Sequence, residues 1–433
     1  MFLLNTTELF LLGISLIGFV ILSLYYLIAY ARLLRASRRT DDTLEEGNKL
    51  PVSIIIYAKN DSENLKKHLP ALLTQDYPEY QVVVINDGSS DDTDDTLKFF
   101  QNEYKHLYHT YVPSDARYLS RRKLAFTLGA KAAKYDILLF TEANCQPLND
   151  QWLSAMVGGY TPETSIVLGY CKYSNYKGFF HKLIAYDNLL TGLRYLSSAL
   201  SHHPYTGNGR NLSYRKELFF KHNGYYQSLN LHAGDDDLFI NEASTKENTK
   251  VIYTPDSLTE MDQIERFGIW KEMKVSRAAT QRYYKGSALT FYHLESTCFF
   301  LFQVSVIATV VIGLQGNWLI SLIAVLLYLI RFIIKASVFG KSARMLQQSP
   351  TIGWLFLLEF IQLQYISKQR GGKVLLVGIP PYSMDMSVFT GFSEVGRIIR
   401  SGWRINNDEH SHRISLLPPL WEVLPPLIAG KPG

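Results

Sequence analysis

Acidic side chains in this 433-residue sequence gather at the ends of apolar runs. Gln81-Val-Val-Val-Ile-Asn-Asp87-Gly-Ser-Ser-Asp91 is a β-branched stretch that stops abruptly in Asn, Asp, Gly and Ser. That is the pattern of a buried parallel strand opening into a polar loop. Two similar transitions flank it. Pro51-Val-Ser-Ile-Ile-Ile-Tyr57 runs into Ala58-Lys59-Asn60-Asp61, and Asp136-Ile-Leu-Leu-Phe-Thr141 runs into Glu142-Ala143-Asn144. Open α/β sheets bind ligands beyond the carboxyl ends of their strands, so the three ends describe one site for a polar, phosphorylated ligand. Further along, Asp235, Asp236 and Asp237 are consecutive. Neighbouring carboxylates disfavour each other's charged form, which raises the pKa of one and suits it to accept a proton near neutral pH. A charged loop capping the following helix would also use Asp237.

The elements that must position these groups are unevenly composed. Hydrophobic residues make up 47% of the chain and charged residues 19%, with a formal net charge of +5. That balance gives no reason to expect a nucleic-acid partner. The three cysteines, Cys145, Cys171 and Cys298, are scattered without CxxC spacing, which argues against a disulfide framework or zinc site. Residues 51–262 alternate strand-like and helix-like patterns and are long enough to bury a core of their own. Before them lie an uncharged apolar run over 10–30, inside an N-terminal anchor of residues 1–31, and a basic then acidic linker over 32–50. A run of about 20 apolar residues crosses a bilayer. The following Arg32, Arg35, Arg38 and Arg39 place the chain beyond it in the cytoplasm.

Residues 263–290 form an amphipathic basic-aromatic segment with Trp270, Arg277 and Arg282, expected at a membrane interface among lipid headgroups. Two apolar spans follow, over 298–314 and 318–339, as a hairpin. Arg331 and Lys335 are expected to snorkel from the second. The apolar region continues to 367, with 351–366 either spanning or lying in the interface. The Pro/Gly-rich tail, 368–433, has no assigned role.

Together the motifs resemble the family-2 glycosyltransferases of the GT-A fold. They are Ala58-Lys-Asn60-Asp61-Ser-Glu63, Ile85-Asn-Asp87-Gly-Ser-Ser-Asp91, Gly207-Asn-Gly209-Arg-Asn211 and Gly234-Asp235-Asp236-Asp237-Leu, in that family's order and spacing. The resemblance covers about residues 50–365 and extends to the membrane-anchored bacterial members, with one helix before the catalytic domain and a cluster after it. It implies an α/β nucleotide-sugar-binding domain of Rossmann-like type carrying one N-terminal and two or three C-terminal transmembrane helices.

The resemblance also implies roles. Ala58, Asn60, Asp61, Asp87 and Lys123 would hold the nucleotide and its diphosphate. Asp235, with Asp236 as second candidate, would be the base, and Gly207, Gly209, Asn211 and Asp237 would face the acceptor. The donor would be a UDP- or GDP-sugar, the acceptor a lipid-linked or polysaccharide hydroxyl, and the setting the bacterial inner membrane with its lipid. Where the family has Asp-x-Asp on Mg2+ or Mn2+, this chain has Glu142-Ala143-Asn144, two oxygen-bearing side chains with one formal negative charge fewer. The family's interfacial Gln-x-x-Arg-Trp motif is also broken here. A processive polysaccharide synthase and a non-catalytic glycan- or nucleotide-binding scaffold are the competing readings.

Overall fold

The computed structural model describes residues 5–37, 49–115, 120–229, 231–349 and 351–361. Val52–Ala58 (β1) and Tyr80–Asn86 (β2) are the β-branched runs noted above, and both are buried along most of their length. They pair in parallel, in a register that sets Ala58 beside Asn86. Leu107–Tyr111 (β3) adds outside β2, and Ile137–Glu142 (β4) adds on the other side of β1, setting Glu142 beside Tyr57. Cys145–Pro147 (β5), Ile166–Leu168 (β6), Cys171–Tyr173 (β7), Leu212–Arg215 (β8), Thr249–Val251 (β9) and Thr259–Met261 (β10) follow. The large sheet has seven strands in the order β3-β2-β1-β4-β8-β6-β9, and a small sheet has the order β5-β10-β7. The chain leaves β1 first toward β2 and β3, then returns to its other side for β4. The crevice at the β1/β4 boundary is therefore the topological switch point, where such sheets bind ligands.

Helices cover both faces. Arg121–Ala132 lies on one of them, close enough that a Cβ on Gly129 would come within 2.7 Å of both Ile55 Cγ2 and Ile85 Cδ1. Gly129→Ala is expected to destabilise by about 1–3 kcal/mol through overpacking, read as a fall in melting temperature. An unchanged melting temperature would mean that the two isoleucines can move aside.

Three helices, Thr6–Ser37, Ala288–Gln315 and Trp318–Met345, are long and apolar enough to cross a membrane. The first includes a π-helical turn at Tyr25–Tyr30. The hairpin spans are longer than the apolar runs suggested, because the flanking polar residues find partners within the protein. Small side chains let the helices approach: Ser15 Oγ donates to Ser305 Oγ at 3.0 Å, and Gly18 packs under Phe302. Arg331 and Lys335 do not snorkel. Both are buried against Glu359 on the apolar helix Ile352–Ile361, at 2.5 Å and 2.8 Å. That contact holds the interfacial candidate against the hairpin as far as residue 361. Its remainder, the residues 38–48 of the linker and the tail lie outside the described residues.

The sheet-bearing part is tied to the apolar helices by polar bonds. Arg194, on the helix Phe179–Ala199, donates to Glu295 at 2.7 Å, and Tyr30 donates to the same carboxylate at 2.7 Å.

Candidate active site

Beyond β2, Asp87 is buried, and three donors converge on its carboxylate. Tyr57 donates at 2.7 Å, Lys59 at 3.3 Å, and Arg121 pairs with the other oxygen. The neighbouring loops brace each other. Asn60, in the left-handed region at φ 54°, accepts from the Ser90 amide at 2.8 Å. Asp61 accepts from Lys59 N at 2.9 Å and from Asn64 at 2.8 Å. Ala58 is buried at the strand end. Asn60 and Asp61 thus shape the loop around Asp87.

Lys123 requires a correction. It is fully buried and points away from the cleft, donating to Ser228 O at 2.5 Å and to Leu231 O at 3.1 Å. Burial lowers its pKa to about 8. Its helix neighbours Arg121 and Arg122 face the site instead. Three cations opening one helix oppose the positive end of the helix dipole. That cost is the sequence signal that anionic groups lie opposite.

Arg122 lies at the switch point. Its guanidinium packs over the rings of Tyr57 and Phe126, at 5.4 Å and 5.1 Å from their centroids. Its Nη2 donates to Glu142 Oε1 at 2.8 Å and its Nε to Asp235 Oδ2 at 3.0 Å. Arg210 takes the other oxygen of Glu142 at 3.0 Å and donates to the Tyr173 hydroxyl at 3.2 Å. Burial alone would raise the Glu142 pKa, but Arg210 and Arg122 together lower it to about 2. Asn144, the other expected metal ligand, offers its side-chain oxygen to Cys145 Sγ at 3.6 Å.

A hard divalent ion collects six or more oxygens. Among the described residues, no three His, Cys, Asp or Glu side chains converge as ligands, and both oxygens of the one carboxylate at this strand end are held by guanidiniums. Glu142 and Asn144 as arranged do not fit a resident divalent ion.

The acidic triplet divides its labour. Gly234 turns the chain at φ 98°, a conformation that favours glycine. Asp235 follows in the cleft. Burial and the charge of Asp236 raise its pKa, against the opposing pull of Arg122. For Asp236 burial is outweighed and the pKa falls, because Arg277 pairs with it at 3.1 Å and the Gly209 amide donates to it at 3.0 Å. Two adjacent carboxylates pushed apart in this way separate a proton acceptor from a fixed anion. Asp237, at the edge of the cleft, is a pin. Fully buried, it accepts from the hydroxyls of Tyr284 (2.8 Å) and Thr280 and pairs with Arg277 at 3.1 Å.

The expected acceptor loop is also partly structural. Asn211 is buried and bonds Tyr170 O at 3.1 Å and Ser257 O at 2.7 Å, so it is no acceptor contact. Gly207 packs against Leu168, Leu212 and Ile240, whereas Gly209 gives its amide to Asp236. Of the interfacial trio, Trp270 is buried and donates to Asp187 at 3.3 Å. Arg277 pairs with the acidic triplet and not with headgroups, and Arg282 is exposed. The cleft enclosed by Arg122, Glu142, Arg210, Asp235, Asp236 and Arg277 measures about 450 Å³. A second cavity of about 250 Å³ adjoins it, sharing Asn208, Trp270, Lys274 and Arg277, and runs under Tyr284, Leu289 and Tyr292 toward the first hairpin helix.

A mixed seven-stranded sheet with a polar cleft at its β1/β4 switch point and an acidic triplet beside it is the arrangement of a GT-A-type fold. Residues 53–220 match the model of glycosyl transferase family 2, and this segment is a family-2 glycosyltransferase domain. Glycosyltransferase AglE of Haloferax volcanii is 32% identical over 104 residues, which are 24% of this chain and 33% of that protein. A poly-beta-1,6-N-acetyl-D-glucosamine synthase of Staphylococcus epidermidis is 28% identical over 93 residues, 22% of this chain and 21% of that one. The chain thus spans a third or less of the length of these relatives. Among solved structures, the mannosyltransferase PcManGT of Pyrobaculum calidifontis, in complex with GDP-Man and Mn2+, shares the fold. The TM-score is 0.52 at 16% identity, covering 84% of this chain and 99% of that one.

Proposed function

We propose that this protein is a membrane-anchored, inverting glycosyltransferase. It moves a sugar from a UDP- or GDP-linked donor to a hydroxyl of a lipid-linked or polysaccharide acceptor, on the cytoplasmic side of the plasma membrane. The observation that carries this reading is the carboxylate pair Asp235 and Asp236 in a cleft lined by Arg122, Glu142, Arg210 and Arg277, with Arg122 on the first and Arg277 on the second. The acceptor oxygen attacks the anomeric carbon as its proton passes to Asp235. The bond from that carbon to the phosphate oxygen breaks, and the nucleoside diphosphate leaves with the electron pair. Asp236, held by Arg277 and Gly209, keeps the loop in place. The adjoining cavity, open toward the apolar helices, supports an acceptor that approaches along the membrane.

PcManGT's Mn2+ supports the use of a divalent ion with this fold. Here Mg2+ or Mn2+ would reach the cleft on the donor's phosphate oxygens, since the protein offers no cage, and the transfer described above takes no step from it. The scaffold reading finds no support in a separated base pair.

The test is a panel of UDP- and GDP-sugars given to the full chain in nanodiscs with a membrane lipid and glycan extract. Acceptor-dependent release of nucleoside diphosphate from one donor is expected. A folded protein that binds no nucleotide and releases none from any donor would remove the reading.

A further inference from the structure

We infer that Arg122 and Arg210 form a built-in cationic clamp for the donor's diphosphate, replacing a protein-held metal ion. The inference rests on the transfer reading above and concerns the same cleft. The two-carboxylate arrangement expected at the end of β4 would need a divalent cation to balance it. This chain presents one carboxylate, Glu142, and a neutral amide, Asn144, with two guanidiniums fastened to the single charge. With Asp235 also paired to Arg122, two guanidiniums balance two carboxylates here without a divalent ion. Cationic side chains thus stand where a protein-held ion would otherwise have to supply the positive charge.

Donor geometry agrees. Arg122 spends Nε and Nη2 on Asp235 and Glu142, and Arg210 spends Nε and Nη1 on Glu142 and Tyr173. Nη1 of Arg122 and Nη2 of Arg210 have no hydrogen-bond partner among the described residues, and both arginines line the cleft. A guanidinium presents a planar fork that matches phosphate oxygens. The rings of Tyr57 and Phe126 hold the Arg122 fork, Tyr173 holds that of Arg210, and Glu142 ties the two together. Clamps of this kind stabilise the departing phosphoryl oxygens without a change of coordination. Because Arg122 also touches Asp235, diphosphate departure and the base are linked through one side chain.

The experiment is calorimetric titration of the full chain in nanodiscs with UDP and GDP, and with UMP and GMP for comparison, in excess chelator and in Mn2+. The nucleoside diphosphate that binds should do so in chelator within about threefold of its affinity in Mn2+. Arg122→Gln and Arg210→Gln should each weaken it by about 10- to 100-fold while leaving the monophosphate nearly unchanged, with the lysine variants intermediate. Near-UV circular dichroism reports folding. As a second arm, Asn144→Asp combined with Arg210→Gln restores two carboxylates and removes one cation, so its diphosphate binding should become Mn2+-dependent. Diphosphate binding that requires metal in the wild type, or that ignores both glutamine variants, overturns the clamp and leaves the transfer reading standing. No nucleotide binding in any condition overturns both.

Discussion

Asp235→Asn is expected to lower kcat by roughly 10²- to 10⁴-fold, the usual contribution of a positioned general base, with nucleoside diphosphate binding nearly unchanged. The amide keeps the size of the side chain and can still meet Arg122 at the position now 3.0 Å away, but it accepts no proton. The pH profile carries the same signature. Only the carboxylate form of Asp235 works, so kcat/KM should fall as pH drops through its pKa. Burial and Asp236 have moved that pKa up, so the acid limb should lie above the ordinary aspartate value of 3.8. A matching substitution, Asp236→Asn, should instead loosen the Gly207–Gly209 loop and Arg277, raising KM more than it lowers kcat. If Asp235→Asn turned over at the wild-type rate, the division of roles within the triplet would be wrong.

Glu359→Leu is expected to cost about 3–5 kcal/mol, the penalty for leaving buried charge uncompensated. Arg331 Nη2 meets Glu359 at 2.5 Å and Lys335 Nζ meets it at 2.8 Å, and none of the three side chains is more than 3% exposed. Arg331 has no hydrogen-bond acceptor for Nε or Nη1 among the described residues, and faces Phe299, Phe302 and Tyr328 instead. Aromatic faces attract a cation but do not neutralise it. Replacing all three charges together, Arg331→Met, Lys335→Met and Glu359→Leu, should recover most of the loss, since an apolar triad needs no compensation. Thermal unfolding in detergent separates the two variants. Equal melting temperatures for the single variant and the wild type would mean that water or lipid headgroups reach the cluster.

The strands carrying the site were legible because their signal is local. The β-branched runs of β1, β2 and β4 end where polar residues begin, and those ends lie side by side in the sheet. The acidic triplet and Asp87 were legible by residue type. What stayed hidden was direction. Lys123 and Arg122 are neighbours on one helix, and sequence gives no means of telling which enters the cleft and which enters the core. Asp237 and Asn211 carry motif-matching side chains whose bonds go to distant segments, Tyr284 and Ser257 among them. Arg210 sits inside the Gly207–Asn211 motif, but its role is not legible there because its partner Glu142 is 68 positions away. The membrane part shows the same limit: apolar length located the spans, but the partner that keeps Arg331 and Lys335 inside lies on a later helix.

The Asp237 pin has a consequence for where the working unit ends. Its partners Arg277, Thr280 and Tyr284 lie just before the helix that enters the apolar region at Ala288. The family match stops at residue 220, and the last strand of the sheet region at Met261. A fragment ending at 261 would lose the groups that hold Asp236 and Asp237, and one ending at 220 would lose the acidic triplet itself. The segment that leads into the apolar helices therefore also forms the back wall of the cleft, and separating the two parts of the chain would dismantle that wall.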